Sequence, residues 1–230
     1  MILAIETATS VLSVALVSDS GLQFSVTVNR NNLHDELLVP LIDTMMKNGH
    51  WSLSDVRAVA VSAGPGSFTG LRIGMSAGKG LALALGIPLV AVPTFDAMAW
   101  RVSFRYQSSA PFLFGPVFDA KRNDVYAALY LIEPGLFRIR SAACAANAEE
   151  IPGMFPAGTW IAGTGTAKLE TLPGSSFRVI PESELICHAE SIGFLAGEMY
   201  KRGETADLDS CEPLYIRDFK TTMPLKTGKE

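Results

Sequence analysis

The segment "GPGSFTGLRIGMSAGKG", residues 64–80, places six glycines in seventeen positions and runs straight into an apolar stretch of helical character. Within it a small residue recurs every four positions, at Gly70, Gly74, Gly78, Ala82 and Gly86, along one slowly drifting helix stripe. Each glycine inside a helix costs roughly 0.5–1 kcal/mol against alanine, so Gly74, Gly78 and Gly80 together cost about 1.5–3 kcal/mol. A close neighbour must offset that cost, because stripping side chains from a stripe lets another backbone approach. Three neighbours fit the spacing: the chain's own "HDELLVPLIDTMM" helix, its own sheet, or a helix of another chain.

The segment is not a standard phosphate loop. A Walker A sequence, G-x-x-x-x-G-K-[ST], counted from Gly64 finds Thr69 where the second glycine belongs, and Lys79 is followed by Gly80. The dinucleotide pattern G-x-G-x-x-G fails as well, since Gly64 and Gly66 lead to Thr69 and the next glycine comes one position late. Free N–H groups from Ser67 to Gly70 could bind an anion at the helix start, and Ser67 and Thr69 suit the role of helix cap equally well.

Strand and helix patterns surround this segment. "MILAIE", "VLSVALVS" and "LQFSVTV" are β-prone runs separated by turn chemistry, the mark of a meander. In "HDELLVPLIDTMMKNG", Leu37, Leu41 and Met45 fall four apart beside Leu38 and Ile42, which predicts an amphipathic helix ending at Asn48-Gly49. "RAVAVS" and "PLVAV" read as buried strands, with helices to about Leu85, from about Thr94, and from about Glu190 to Lys201, closed by Gly203. Strands alternating with helices after an antiparallel opening predict an α/β chain with mixed sheets. The opening pattern recurs in "FLFGPVFDAKRNDVYAALYLI", where Asp119 ends a strand as Glu6 does, so a duplicated fold is expected. The polar, proline-terminated stretch "RVSFRYQSSAP" sets the boundary between a lobe of residues 1–104 and a smaller lobe with tail, 105–230.

Composition excludes several functions. A net charge of −4 without clustered Lys and Arg argues against strong nucleic-acid binding by this chain alone; the nearest approach is Arg217, Lys220, Lys226 and Lys229 in the tail. Apolar residues at 48% against 18% charged leave apolar surface to be covered, which points to a partner. The N-terminus has no basic flank and carries Glu6 within its apolar run, so it fails as a signal peptide, and a cytosolic chain is expected. Cys144, Cys187 and Cys211 share no CxxC spacing and are expected as three buried reduced thiols.

His34, His50 and His188 belong to no metal-binding pattern, so no metal centre is expected. His34, beside Asp35 and Glu36, is read as a capping or surface residue. "AGPGSFTG" is not a serine-nucleophile elbow. Glu6 and Asp119 fit two roles: acids acting on magnesium and phosphates in an ATP-handling fold, or caps of their own turns.

The runs "ILAIETATSVLSVAL", "HDELLVPLI", "AGPGSFTGLRIGMSAGKGLALALGIPLVAVPTFDAMA", "DAKRNDVYAALY" and "EPLYIR" resemble, in order and over essentially the whole chain, the bacterial TsaB family, also called YeaZ-like. The resemblance implies an actin-like fold (the ASKHA, ribonuclease H-like class) of two related lobes. It implies a role in making threonylcarbamoyladenosine beside the anticodon of tRNAs that read codons beginning with A. In that system TsaD holds the metal and transfers the threonylcarbamoyl group, and the ATPase TsaE acts on the TsaB–TsaD pair. TsaB itself is a non-catalytic partner with no cofactor of its own. It pairs with TsaD through N-terminal helices, forms a homodimer through the same surface when alone, and meets tRNA only through the complex. Carried to this sequence, the docking surface comprises His34, Leu37, Leu38, Leu41, Ile42, Met45, Gly70, Arg72, Ile73, Gly74, Ala77 and Gly78. On that basis Gly74→Leu should abolish pairing while leaving the fold nearly intact. A vestigial nucleotide site would draw on Glu6, Thr7, Asp119 and the "WIAGTG" glycines Gly163 and Gly165. Glu6 stands where many actin-like phosphate hairpins have Asp, and the longer side chain would reposition any magnesium-bound water. The alternative is a self-sufficient ATP-dependent enzyme of the same fold.

Overall fold

The N-terminal run is apolar from Ile2 to Ile5 because both faces of its strand are covered. In the computed structural model, which describes residues 1–216 apart from 31, 32, 107, 174, 183 and 186, β1 (Ile2–Glu6) sends Leu3 and Ile5 to one side and Ile2 and Ala4 to the other, all buried. It pairs antiparallel with β2 (Val11–Ser18), which pairs antiparallel with β3 (Gly21–Asn29). On its other side β1 pairs parallel with β4 (Ala58–Gly64), and β4 with β5 (Leu89–Pro93), giving the order β3-β2-β1-β4-β5.

The second sheet repeats this plan. β6 (Phe112–Asp119), β7 (Asp124–Glu133) and β8 (Leu136–Asn147) form an antiparallel meander, and β9 (Trp160–Ala162) and β10 (Arg178–Val179) add in parallel beyond β6. Its order, β8-β7-β6-β9-β10, matches the first sheet strand for strand. The two lobes are copies of one topology, which is the duplicated actin-like arrangement.

Helices fill three layers. α1 (His34–Asn48) and α2 (Phe68–Leu85) cover one face of the first sheet, over Leu3, Ile5, Val14, Val59 and Val61. The opposite face is built of smaller residues, Ala4, Ala15, Ala58 and Ala60, and receives α6 (Ala189–Lys201). α6 lies close, since a Cβ on Gly193 would stand 2.7 Å from Val17 Cγ2 and 3.2 Å from Ala4 Cβ. α3 (Thr94–Arg105) joins the lobes: Ala97 packs under the first sheet, while Phe95, Met98, Ala99 and Val102 enter the core of the second. Two short helices, α4 (Ile151–Met154) and α5 (Thr166–Glu170), close the far face.

A division at residue 104 therefore separates the strands by sheet but not the helices. α6 comes from the second half and packs on the first sheet, and Ala206 beyond it bridges to Leu89 of β5. The end of α1 also differs in detail from expectation. The helix stops at Asn48, but Gly49 keeps a right-handed φ of −86°, and the left-handed position falls on His50 at 57°. Among the described residues no helix is long and apolar enough to cross a membrane.

Candidate docking face

α2 begins at Ser67, whose hydroxyl accepts the Gly70 N–H at 3.3 Å, and ends on Gly86 with a φ of 63°. Between them the glycine stripe faces inward. A Cβ on Gly70 would overlap the Thr7 carbonyl oxygen, one on Gly74 the Thr7 hydroxyl, and one on Gly78 the Val61 side chain. The close neighbour is thus the chain's own sheet and the turn between β1 and β2. Gly70, Gly74 and Gly78, expected at a partner surface, are sealed by this packing.

Four residues expected on that surface from α1 are interior too. Leu38 and Met45 are each 1% exposed, and Ile42 is likewise buried, because these three positions form the core-facing stripe of the helix. His34 is buried with no partner on Nε2, and the helix cap is Leu33 without a side-chain bond, so His34 is neither surface nor cap. What stays open is a narrower set: Leu37, Leu41, Ile73 and Ala77 are half-buried against the core edge, and Arg72 is exposed.

A segment to which the sequence assigned no role completes this side of the molecule. After α6 the chain returns along α2, with the Leu214 N–H donating to the Ala63 carbonyl at 2.7 Å and Lys79 Nζ to the Cys211 carbonyl at 2.8 Å. Arg72 Nε donates to the Tyr215 hydroxyl at 3.0 Å, and the Phe68 and Tyr215 rings meet at 5.2 Å. The signal was present as "EPLYIR", an apolar and aromatic island in a polar tail. The cations Arg217, Lys220, Lys226 and Lys229 lie outside the described residues.

The two hairpin acids sit in different settings. Glu6 is 1% exposed; its Oε1 accepts the Ala8 N–H and its Oε2 has no partner. Burial pushes its carboxyl up to about 7, against the pull of the Ala8 and Thr7 N–H groups and the Ser62 hydroxyl. The Thr7 N–H is itself donated to Ser62 Oγ at 3.2 Å, so the donors of this turn nearest Glu6 are spent inside the chain. Glu6 also lines a cavity of about 10 Å³ with Thr94, Arg101, Cys187 and Ser191, room for a single water.

Asp119 is open to solvent and bonded to Lys168 Nζ at 2.6 Å and to the Lys121 N–H at 2.7 Å. Burial pushes its carboxyl up, but these partners outweigh it and hold the group below its usual range. Gly163 and Gly165 join it: a Cβ on Gly165 would stand 2.9 Å from the Phe118 backbone, and Thr164 Oγ1 accepts the Asp119 N–H at 3.1 Å. Thr7 is thus placed against the glycine helix, Glu6 on the opposite side among residues of α3 and the start of α6, and Asp119 with the two late glycines. Of the three free cysteines only Cys187 is buried, while Cys144 and Cys211 are half-buried.

The family model described as TsaD: tRNA N6-adenosine threonylcarbamoyltransferase matches residues 28–169. The chain is 32% identical over 230 residues to the tRNA threonylcarbamoyladenosine biosynthesis protein TsaB of Escherichia coli (strain K12), covering 94% of each. It is 34% identical over 136 residues to TsaB of Bacillus subtilis (strain 168), covering 59% of this chain and 57% of that one. Two structures from Pseudomonas aeruginosa share the fold at 30% identity. One, described as an uncharacterised protein with similarity to the peptidase YeaZ, has a TM-score of 0.81 and covers 94% of this chain and 99% of its own. The other, described as YeaZ, has a TM-score of 0.79 and covers 93% and 98%.

Proposed function

The chain belongs to the TsaB family, and from that membership we propose that it is a subunit of the machinery that makes threonylcarbamoyladenosine in tRNA, acting beside a TsaD-type transferase. The observation that carries the partner role is the outer side of α1 and α2. There Leu37, Leu41, Ile73 and Ala77 keep part of their apolar surface in water next to exposed Arg72. Covering such surface is favourable at about 25 cal/mol per Å², and a second chain is the natural cover. The state of the two acids supports a non-catalytic role. Glu6 is sealed from solvent, with its carboxyl pushed up to about 7 and Oε1 on the Ala8 N–H, and Asp119 is matched by Lys168.

In this reading the chain carries no cofactor. TsaD holds the metal, TsaE handles ATP on the assembled pair, and tRNA is reached only through the complex, in the cytoplasm. Alone, the same face pairs two copies of the chain.

The test mixes the purified chain with the TsaD-type subunit of the same organism and follows pairing by size-exclusion chromatography with light scattering. Leu41→Glu and Ile73→Glu are expected to abolish pairing, and with it modification of tRNA in a reconstituted reaction, while the melting temperature stays within a few degrees of wild type. Pairing at wild-type strength by the double variant would falsify the docking assignment. Calorimetry with Mg-ATP on the isolated chain is expected to give no saturable heat at millimolar nucleotide, and saturable binding would restore the ATP-dependent reading.

A further inference from the structure

Arg72 is immobilised before any partner arrives. Its guanidinium carbon lies 3.9 Å from the centroid of the Phe68 ring and 5.9 Å from that of Tyr215, and its Nε is bonded to the Tyr215 hydroxyl. Tyr215 is in turn anchored through its neighbour Leu214 to the Ala63 carbonyl. These contacts leave the two terminal guanidinium nitrogens, and among the described residues Arg72 makes no ion pair. A long side chain held in one pose forfeits little further freedom on binding, and the planar fork matches an anion with two oxygens.

The surroundings select the anion. Arg72 adjoins apolar surface at Ile73, and the Lys79 ammonium on the same helix is already bonded to the Cys211 carbonyl, so among the described residues no cluster of cations such as a phosphate backbone requires gathers here. Among the described residues, a single cation with open terminal nitrogens at the rim of an apolar face suits one carboxylate of a protein surface. We propose that Arg72 is the specificity-determining residue of the docking face, its terminal nitrogens taking a carboxylate of the TsaD-type subunit side by side, with Tyr215 as the positioning residue that holds it ready. This rests on the docking reading above.

The experiment measures the dissociation constant of the purified pair, without RNA, for wild type, Arg72→Lys, Tyr215→Phe and Leu41→Glu. Arg72→Lys keeps the charge but loses the fork and is expected to weaken pairing about tenfold. Tyr215→Phe keeps the ring but loses the hydroxyl and is expected to weaken it about threefold. Both should melt with wild type, and Arg72→Glu should be rescued by an acid-to-arginine change on the partner. If Arg72→Lys, Tyr215→Phe and Arg72→Glu all pair within twofold of wild type while Leu41→Glu does not pair, the carboxylate clamp is wrong and the docking face stands. If Leu41→Glu also pairs normally, the docking face itself fails. If pairing is unchanged but, in a second titration of the assembled pair with tRNA, binding falls with Arg72→Lys, the anion is a phosphate and the proposal is overturned.

Discussion

Thr7 is the side chain against which α2 is set, and it decides what a substitution at Gly74 does. A methyl group there improves helix propensity by about 0.5–1 kcal/mol yet drives a Cβ into the Thr7 hydroxyl, an overpacking that costs typically 1–3 kcal/mol. Gly74→Ala is therefore expected to lower stability in urea denaturation, and Thr7→Ala combined with it to recover most of the loss; an additive pair would refute the contact. Gly74→Leu, by the same steric reasoning, damages the fold rather than the docking face. Glu6 sets a pH dependence. Its folded-state pKa is raised, to about 7 from an ordinary 4.5, so the fold prefers the protonated form. That contribution is complete below about 4.5 and is lost as pH rises through about 7. Wild type should weaken relative to Glu6→Gln between pH 5 and 8, a range in which His188, lowered by burial and by Arg101, acts in both proteins alike. A parallel pair of stability curves would remove Glu6 as the cause. The spacing of small residues showed that something comes close to α2. It could not show what, because the answer is a turn near the other end of the lobe.

The long helices were legible because each has a period. Leu38, Ile42 and Met45 mark α1 strongly enough to outweigh Pro40 in its interior, and α2 announces its ends through Ser67 and Gly86. Replacing Ser67 by Ala removes the cap and is expected to cost about 1 kcal/mol in thermal denaturation; an unchanged midpoint would mean that Thr69 or water takes over the Gly70 N–H. α4 and α5 were not legible, since helices of 4 and 5 residues show no repeat to read. The apolar stripe that reveals a helix is broader than the face it buries. Of the α1 residues that the family resemblance placed on the docking surface, Leu38, Ile42 and Met45 lie on the inner face, and Leu37 and Leu41 are the ones at its edge.

For the whole molecule, the repeated hairpin carried the duplication, and two sheets of one strand order are its full expression. The return of α6 to the first sheet was not legible, because it depends on a face of alanines recognised only when three strands are aligned. The chain beyond it adds long-range closure. Truncation after Thr205 removes the bonds of Ala206 to Leu89, Leu214 to Ala63 and Tyr215 to Arg72, and is expected to lower the melting temperature and abolish partner capture; a truncated chain that melts and pairs as wild type would show the segment to be dispensable. Arg72 and its tyrosine stand 143 residues apart in the chain. During synthesis at roughly 5–20 residues per second, the arginine leaves the ribosome on the order of ten seconds before the tyrosine exists. Strands β1–β5 with α1 and α2 can assemble in that interval, but the surface around Arg72 is finished only when Tyr215 has followed, so a nascent or interrupted chain cannot present the completed face to a partner.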